Sequence, residues 1–342
     1  MTSSPALQAL LWPFAVAYDG IVRVRASLYG RGLFRAKRLD GTVISVGNLT
    51  VGGTGKTPMV LWLAERLASE GHRPAILTRG YRGSGQSDVH GLPTSDEVAL
   101  LRERLGARAQ LGVGKDRYAS GRTLERHGVK WFILDDGFQH LELVRDADVV
   151  LVDATDPFGG GRSLPAGRLR EPKSALDRAD VLVITRSEHA PAVESVVRRF
   201  TQAPIFYART QLEVVLRLPA LQVPLPDGDL TRANFFAFCG IGNPAAFFDD
   251  LARWGVRVKG RRAFRDHHRY AAVETEGLER DALVAGAEAM ICTEKDVFNL
   301  RDALPKRLPV YACRIGLAVH EPERFWRAVT GAIERRRQKA AA

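Results

Sequence analysis

Residues 43–58 read Val-Ile-Ser-Val-Gly-Asn-Leu-Thr-Val-Gly-Gly-Thr-Gly-Lys-Thr-Pro, a segment that leaves a chain few folds to choose from. The β-branched apolar start predicts a buried strand, the glycines a tight turn, and Gly55-Lys56-Thr57 the opening of a helix. Glycines let backbone N–H groups approach phosphate oxygens, and a helix N-terminus adds partial positive charge. Thr50, Val51, Gly52, Gly53, Thr54, Gly55, Lys56 and Thr57 are therefore the expected nucleotide cradle. Lys56 is a point charge for the β- and γ-phosphates, and the Thr57 hydroxyl is a Mg²⁺ ligand. Pro58 suits a first helical turn, where its missing N–H has no intrahelical partner. The segment departs from the usual GxxxxGK[ST] pattern at Thr50, which stands where glycine is usual.

From residue 42 onward, apolar runs alternate with helical patterns. Strands are expected at 43–46, 75–77, 131–134, 149–152, 181–184 and 204–207, with a helix over Met59–Glu70 stopped by Gly71. This βαβ series predicts an α/β protein: a P-loop NTPase-type, doubly wound, mostly parallel sheet with a second, smaller α/β domain. The proline-rich stretch LPALQVPLPDGD is read as a linker. Further strands at 235–238, 289–292 and 310–313 follow it, with helices at 244–254, 273–287 and 321–335. The expected domains are 1–40, 41–217 as the phosphate-binding core, a linker at 218–231, and 232–342.

A net charge of +11 points to an anionic partner, whether nucleic acid, acidic membrane or phosphorylated substrate. No aromatic-basic stacking pattern appears, so no nucleic-acid partner is expected. Cys239, Cys292 and Cys313 form no CxxC pair, which argues against a zinc or disulfide framework and fits a reducing compartment. At the N-terminus, Leu7–Tyr18 is mostly apolar but contains Pro13, and Arg23, Arg25, Arg31, Arg35, Lys37 and Arg38 follow. That run is short of the ~20 residues a spanning helix needs. An apolar stretch leading into a basic one suits an anionic bilayer surface; an ordinary core helix with a solvated basic face is the plainer alternative.

Trp131-Phe-Ile-Leu-Asp-Asp-Gly-Phe-Gln-His140 sets two carboxylates at the end of an apolar strand, the arrangement that brings Asp135 to Mg²⁺ beside a phosphate-binding turn. Arg162, Arg168 and Arg170 crowd the glycine-rich segment from Phe158 to Glu171, and arginine forks suit phosphate oxygens. Seven segments occur in order: GNLTVGGTGKTP, TRGY (Thr78–Tyr81), LDDGFQH, FGGGRSLPAGRLREP (Phe158–Pro172), FCGIGNP (Phe238–Pro244), FRDHH (Phe264–His268) and TEKD (Thr293–Asp296). Together they resemble the tetraacyldisaccharide 4′-kinases over residues 40 to 300, and the apolar-basic N-terminus is similar too.

The resemblance implies transfer of the ATP γ-phosphate, with Mg²⁺, to the 4′-hydroxyl of a tetraacylated glucosamine disaccharide 1-phosphate, giving lipid IVA. It also implies a peripheral or monotopic enzyme on the cytoplasmic face of the bacterial inner membrane. A sugar hydroxyl needs a base as its O–P bond forms. The resemblance gives that role to Asp96 in Ser95-Asp96-Glu97-Val98, supported by His267, with Glu97 assisting at Mg²⁺. Ser95 and Val98 stand where the family has Gly and Pro; Gly160 and Arg168 stand where it usually has Asn and Pro. Asp136, Gln139, His140, Arg168 and Arg170 are the implied substrate-binding residues, and TEKD is read as a strand-end turn bordering the nucleotide. A P-loop ATPase or ATP-dependent ligase of cofactor synthesis would share the GGTGKT turn but would not require FRDHH or the N-terminal segment.

Overall fold

The computed structural model describes residues 5–80, 95–219, 221, 223–226, 228–300 and 303–341. Tyr81 of TRGY and three residues of the expected linker, Ala220, Gln222 and Asp227, lie outside the described residues. In chain order the strands begin with β1 (Thr42–Asn48), β2 (Ala75–Thr78), β3 (Gln110–Val113), β4 (Trp131–Asp135), β5 (Ala147–Asp153) and β6 (Val181–Thr185). They continue with β7 (Ile205–Arg217), β8 (Asn234–Cys239), β9 (Arg257–Ala263), β10 (Ala289–Thr293) and β11 (Val310–Val319). The helices are α1 (Pro5–Gly30), α2 (Lys56–Ser69), α3 (Asp96–Leu105), α4 (Arg117–Arg126) and α5 (Pro191–Val197). After them come α6 (Asp229–Arg232), α7 (Pro244–Arg253), α8 (Ala272–Val284), α9 (Glu294–Leu300) and α10 (Pro322–Ala341).

Two compact units divide the chain. The first is Met1–Tyr81, Leu105–Arg209 and Leu317–Ala342; the second is Arg82–Arg104 and Thr210–Gly316. In the first, the strand order is β3-β2-β4-β1-β5-β6-β7, and the neighbours pair in parallel. Every residue of β1 and β5 is buried, as expected for parallel strands covered on both faces. Because the chain passes from β4 to β5 across β1, the direction in which strands are added to the sheet reverses there. Such a switch leaves a crevice at the carboxyl ends of the strands. Helix α2 buries Met59, Val60, Leu63, Ala64 and Leu67, a stripe at helical spacing.

In the second unit the order is β11-β10-β8-β9, again parallel. Successive side chains of a strand point to opposite faces. Phe236, Phe238, Met290 and Cys292 accordingly build one core, and Phe235, Ala237, Cys239 and Ile291 the other. The three cysteines are buried within these layers as free thiols.

The units are not contiguous in sequence, unlike the expected 41–217 and 232–342. Residues 95–104, with Asp96, belong to the second unit, and α10 belongs to the first. Helix α10 has an apolar face to cover: its buried Phe325 meets Trp62 and Phe206 edge-on at 5.1 and 5.4 Å. Strand β9 was invisible to an apolar pattern because it reads RVKGRRA; its charges sit on the outermost strand of its sheet, where they discourage foreign pairing.

Helix α1 continues through Pro13. Its Leu10, Phe14, Ile21 and Val24 form one stripe and are 69, 63, 68 and 59% exposed. Residues of another face reach the rest of the first unit: the Tyr18 hydroxyl donates to the Arg170 carbonyl (3.0 Å) and Arg25 to that of Gln139 (3.1 Å). The exposed side of this helix thus carries an apolar stripe, alongside the exposed Arg23. Among the described residues, no helix is long and apolar enough to cross a membrane.

Candidate active site

The expected phosphate cradle, residues 50–57, follows the end of β1 in the first unit. Gly55 caps α2 with φ 88°, a left-handed conformation open to glycine, and so turns the chain into the helix at Lys56. Asn48 organises the turn from inside: its Nδ2 donates to Thr54 Oγ1 at 2.8 Å, and its Oδ1 accepts from Lys56 Nζ at 3.4 Å. The turn's carbonyls are held from outside. Arg186 donates to Gly53 O (2.9 Å), Thr185 Oγ1 to Thr54 O (3.0 Å), and Arg168 to Val51 O through Nε and Nη2 (3.1 and 2.8 Å). The Val51 N–H is itself taken by the Arg168 carbonyl at 2.8 Å; with three carbonyls tied back, the glycine-rich remainder of the turn is the part suited to an anion.

β4 pairs with β1 in a register that sets Asp135 opposite Val46. The turn after it is pressed onto β1: a Cβ at Gly47 would lie 2.5 Å from the Phe138 Cβ and 2.7 Å from its backbone nitrogen. Only glycine fits there. Asp135 is buried and accepts from Thr78 Oγ1 at 3.1 Å. Asp136, at φ 49°, receives Arg170 Nη1 on both oxygens (2.8 and 2.7 Å) and has Lys56 Nζ 3.5 Å away. Burial pushes its carboxyl up, but Lys56, Arg170 and Arg117 outweigh that and hold it below the usual carboxylate range.

Gln139 Nε2 donates to Asn48 O (2.9 Å), while its Oε1 is buried with no hydrogen-bond partner among the described residues. Arg117 Nη1 lies 3.2 Å from His140 Nδ1. Burial first, and the Arg117 charge second, push His140 down to about 4, so its ring is neutral near pH 7 and Nδ1 accepts from the guanidinium.

The second unit holds the other expected pair. His267 Nδ1 lies 2.7 and 3.0 Å from the two oxygens of Asp96, whose side chain is only 7% exposed. Burial raises the Asp96 carboxyl, yet the His267 hydrogen bond and charge, with Lys295 and Asn299, bring it below the usual range. The same hydrogen bond to Asp96 raises His267 against the opposing effect of burial. Its neighbour His268 turns elsewhere, stacking on Phe264 with centroids 4.6 Å apart and pairing with Glu274 at 3.1 Å. The two histidines thus share no ligand. Among the described residues, no group of three His, Cys, Asp or Glu could hold a metal ion.

The sequence model of the tetraacyldisaccharide-1-P 4′-kinase family matches residues 7–334. The chain belongs to this family. The tetraacyldisaccharide 4′-kinase of Geobacter metallireducens is 41% identical to it over 328 residues, covering 92% of this chain and 95% of that one. That of Desulfotalea psychrophila is 37% identical over 340 residues, covering 92% and 94%. A crystal structure of LpxK from Aquifex aeolicus in complex with ATP is 31% identical, with a TM-score of 0.74 over 96% of this chain and 99% of that one. The protein is thus a kinase with the α/β architecture read from its sequence.

Three expectations for this tetraacyldisaccharide 4′-kinase family member meet different partners. Glu97, expected at Mg²⁺, forms an ion pair with Lys295 at 3.1 Å, so a protein cation already balances its charge. Arg168, expected on substrate, braces Val51 O and pairs with Asp156 at 2.9 Å. TEKD, expected beside the nucleotide, points its carboxylates inward. Glu294 pairs with Arg104 (3.2 Å) and Arg314 (2.6 Å), and Asp296 is fully buried. Asn48, Arg117, Arg186 and Asn299 went unread because a lone polar residue at a strand end or in a helix carries no spacing signal.

Proposed function

We propose that this kinase transfers the γ-phosphate of ATP to the 4′-hydroxyl of a tetraacylated glucosamine disaccharide 1-phosphate, producing lipid IVA. The observation that carries the reading is the 2.7 Å contact between Asp96 and His267, residues 171 apart in the chain. A sugar hydroxyl must lose its proton as it attacks phosphorus, and a buried carboxylate held by an imidazole is suited to receive it. Asp96 is the base. His267 orients it and, through its Nδ1–H, stabilises its charge before transfer.

The first unit supplies the phosphoryl donor's site. Residues 50–57 hold the ATP phosphates through backbone N–H groups, and Lys56 places positive charge on the transferring group. Mg²⁺ calls for hard oxygen donors and is usually held by one or two carboxylates together with substrate phosphates. The Thr57 hydroxyl, in the first turn of α2, and the buried Asp135 carboxylate, at the end of the neighbouring strand, fit that requirement. When bound, the ion neutralises charge on the phosphate oxygens. We assign Arg170, Asp136, Gln139 and His140 to the lipid substrate; the unpartnered Gln139 Oε1 suits a hydroxyl donor. Glu97 is assigned to its ion pair with Lys295, and Arg168 to bracing the turn.

The acyl chains of such a substrate reside in a bilayer, and the exposed stripe of α1 suits immersion at an anionic membrane surface. Attachment is thus proposed as peripheral or monotopic, on the cytoplasmic face of the inner membrane. Labelled ATP incubated with the purified disaccharide 1-phosphate in mixed micelles tests the reading. One new phosphate monoester at the 4′ position is expected; transfer to another position, or none from folded protein, contradicts it.

A further inference from the structure

Helix α9 has no step of the chemistry assigned to it so far, yet its last turn reaches Asp96 directly and, through Tyr270, the chain that follows His267. Asn299 Nδ2 donates to Asp96 Oδ2 at 3.3 Å, the same oxygen that lies 2.7 Å from His267 Nδ1. The Asn299 carbonyl accepts the Tyr270 N–H at 3.2 Å, which ties down the chain just after FRDHH. Three residues earlier, buried Asp296 accepts from Gly240 N and the Tyr270 hydroxyl, both at 2.7 Å. The Gly240 carbonyl in turn accepts the His267 N–H at 3.0 Å, where His267 adopts a left-handed φ of 59°.

A carboxylate on a single side-chain bond swings about its χ torsions unless both of its oxygens are held. The Glu97 N–H holds Asp96 Oδ1 at 3.0 Å, whereas among the described residues Oδ2 is held by the imidazole, which it shares with Oδ1, and by Asn299. An amide NH₂ is a donor without a titrating proton, so it fixes that oxygen without competing for the proton to be transferred. We infer that Asn299 is a positioning residue for the phosphoryl-transfer step, holding Asp96 in the rotamer that receives the substrate proton, with Asp296 anchoring α9 and the Gly240 turn behind His267. This rests on Asp96 being the base.

The test uses full-length protein in mixed micelles and measures single-turnover rates, KM for ATP and thermal unfolding. Asn299→Asp keeps the shape and the backbone bond to Tyr270 but replaces the donor by an acceptor; Asn299→Ala removes the side chain altogether. Both should lower the turnover rate about tenfold to a hundredfold, the effect of losing a hydrogen bond to a charged group. KM for ATP should change less than about twofold, because the interaction acts through the transferring step. In an Asp96→Asn background, Asn299→Ala should cost nothing further. A wild-type rate in both Asn299 variants, with Asp96→Asn inactive, overturns the positioning role and leaves the base assignment standing. A near-wild-type rate for Asp96→Asn overturns the base assignment itself. Equal losses from Asn299→Ala with and without Asp96, accompanied by a lowered melting temperature, would mark a merely structural residue and also overturn the proposal.

Discussion

Eight consecutive residues, Thr50–Thr57, make the proposed phosphate cradle of the first unit, whereas the pair in the second unit draws on Asp96, His267 and Asn299, up to 203 positions apart. As proposed, the cradle works mainly through backbone N–H groups, so its chemistry is fixed once a strand, a glycine turn and a helix follow one another. The pair works through side chains, and each must be delivered by separate elements of a packed unit. A cradle of the first kind tolerates change around it provided the backbone path survives. A pair of the second kind fails when any one of its supports shifts.

The largest effect expected from this contrast is at Lys56, the one cradle residue acting through its side-chain charge. Lys56→Ala should lower kcat by about a thousandfold, on the scale of lost electrostatic clamps in phosphoryl transfer. Near-normal kcat in a folded Lys56→Ala protein would remove the cradle from the account. At the membrane, replacing Leu10, Phe14, Ile21 and Val24 together by Ser should weaken partition onto anionic vesicles by about a hundredfold, since each immersed side chain contributes apolar burial. Flotation with vesicles checks this; unchanged binding would place the attachment surface elsewhere.

Asp135→Asn should raise the Mg²⁺ concentration needed for half-maximal activity by about tenfold or more, a size typical for disturbed metal sites. An unmoved Mg²⁺ titration would take the metal away from Asp135.

The same contrast explains what could be read in advance. β1, the turn and α2 follow from local pattern, and the buried runs of β5 and β6 announce themselves as parallel strands. Asp135 is legible because a strand end delivers it. By contrast, Asp96 carries no local signal: it opens α3, a short helix rich in charge, and its assignment rested on resemblance alone. Nor could spacing reveal that Ser95–Arg104 joins the second unit or that α10 returns to the first, because tertiary packing decides both. Glu97 illustrates the remaining gap. The family resemblance implies a metal for it, but the ammonium that balances it comes from Lys295, 198 residues on.

The smallest effect is a titration. Asp96 raises His267 above its ordinary 6.5, while Asp266 and Glu97 add to the same direction and burial opposes it. The stabilisation this gives His267 is complete below 6.5 and is lost as pH rises through the raised midpoint. For Asp96, held below its ordinary 3.8 by His267, Lys295 and Asn299, it is present above 3.8 and lost as pH falls through the lowered midpoint. The second unit should thus gain from the pair between these two values. NMR of the His267 ring should show a midpoint above 6.5 that drops in Asp96→Asn; an unchanged midpoint would mean the two side chains do not interact in solution.

Single-turnover rates for four proteins, the native chain, Asp96→Asn, His267→Ala and the double variant, test most directly whether the pair acts as one unit. Residues that serve a single step lose activity non-additively. Asp96→Asn is expected to abolish most turnover with ATP affinity largely intact, His267→Ala to be milder, and the double variant to be little worse than Asp96→Asn alone. Full additivity of the two losses, or an Asp96→Asn rate near that of the native chain, would contradict the account.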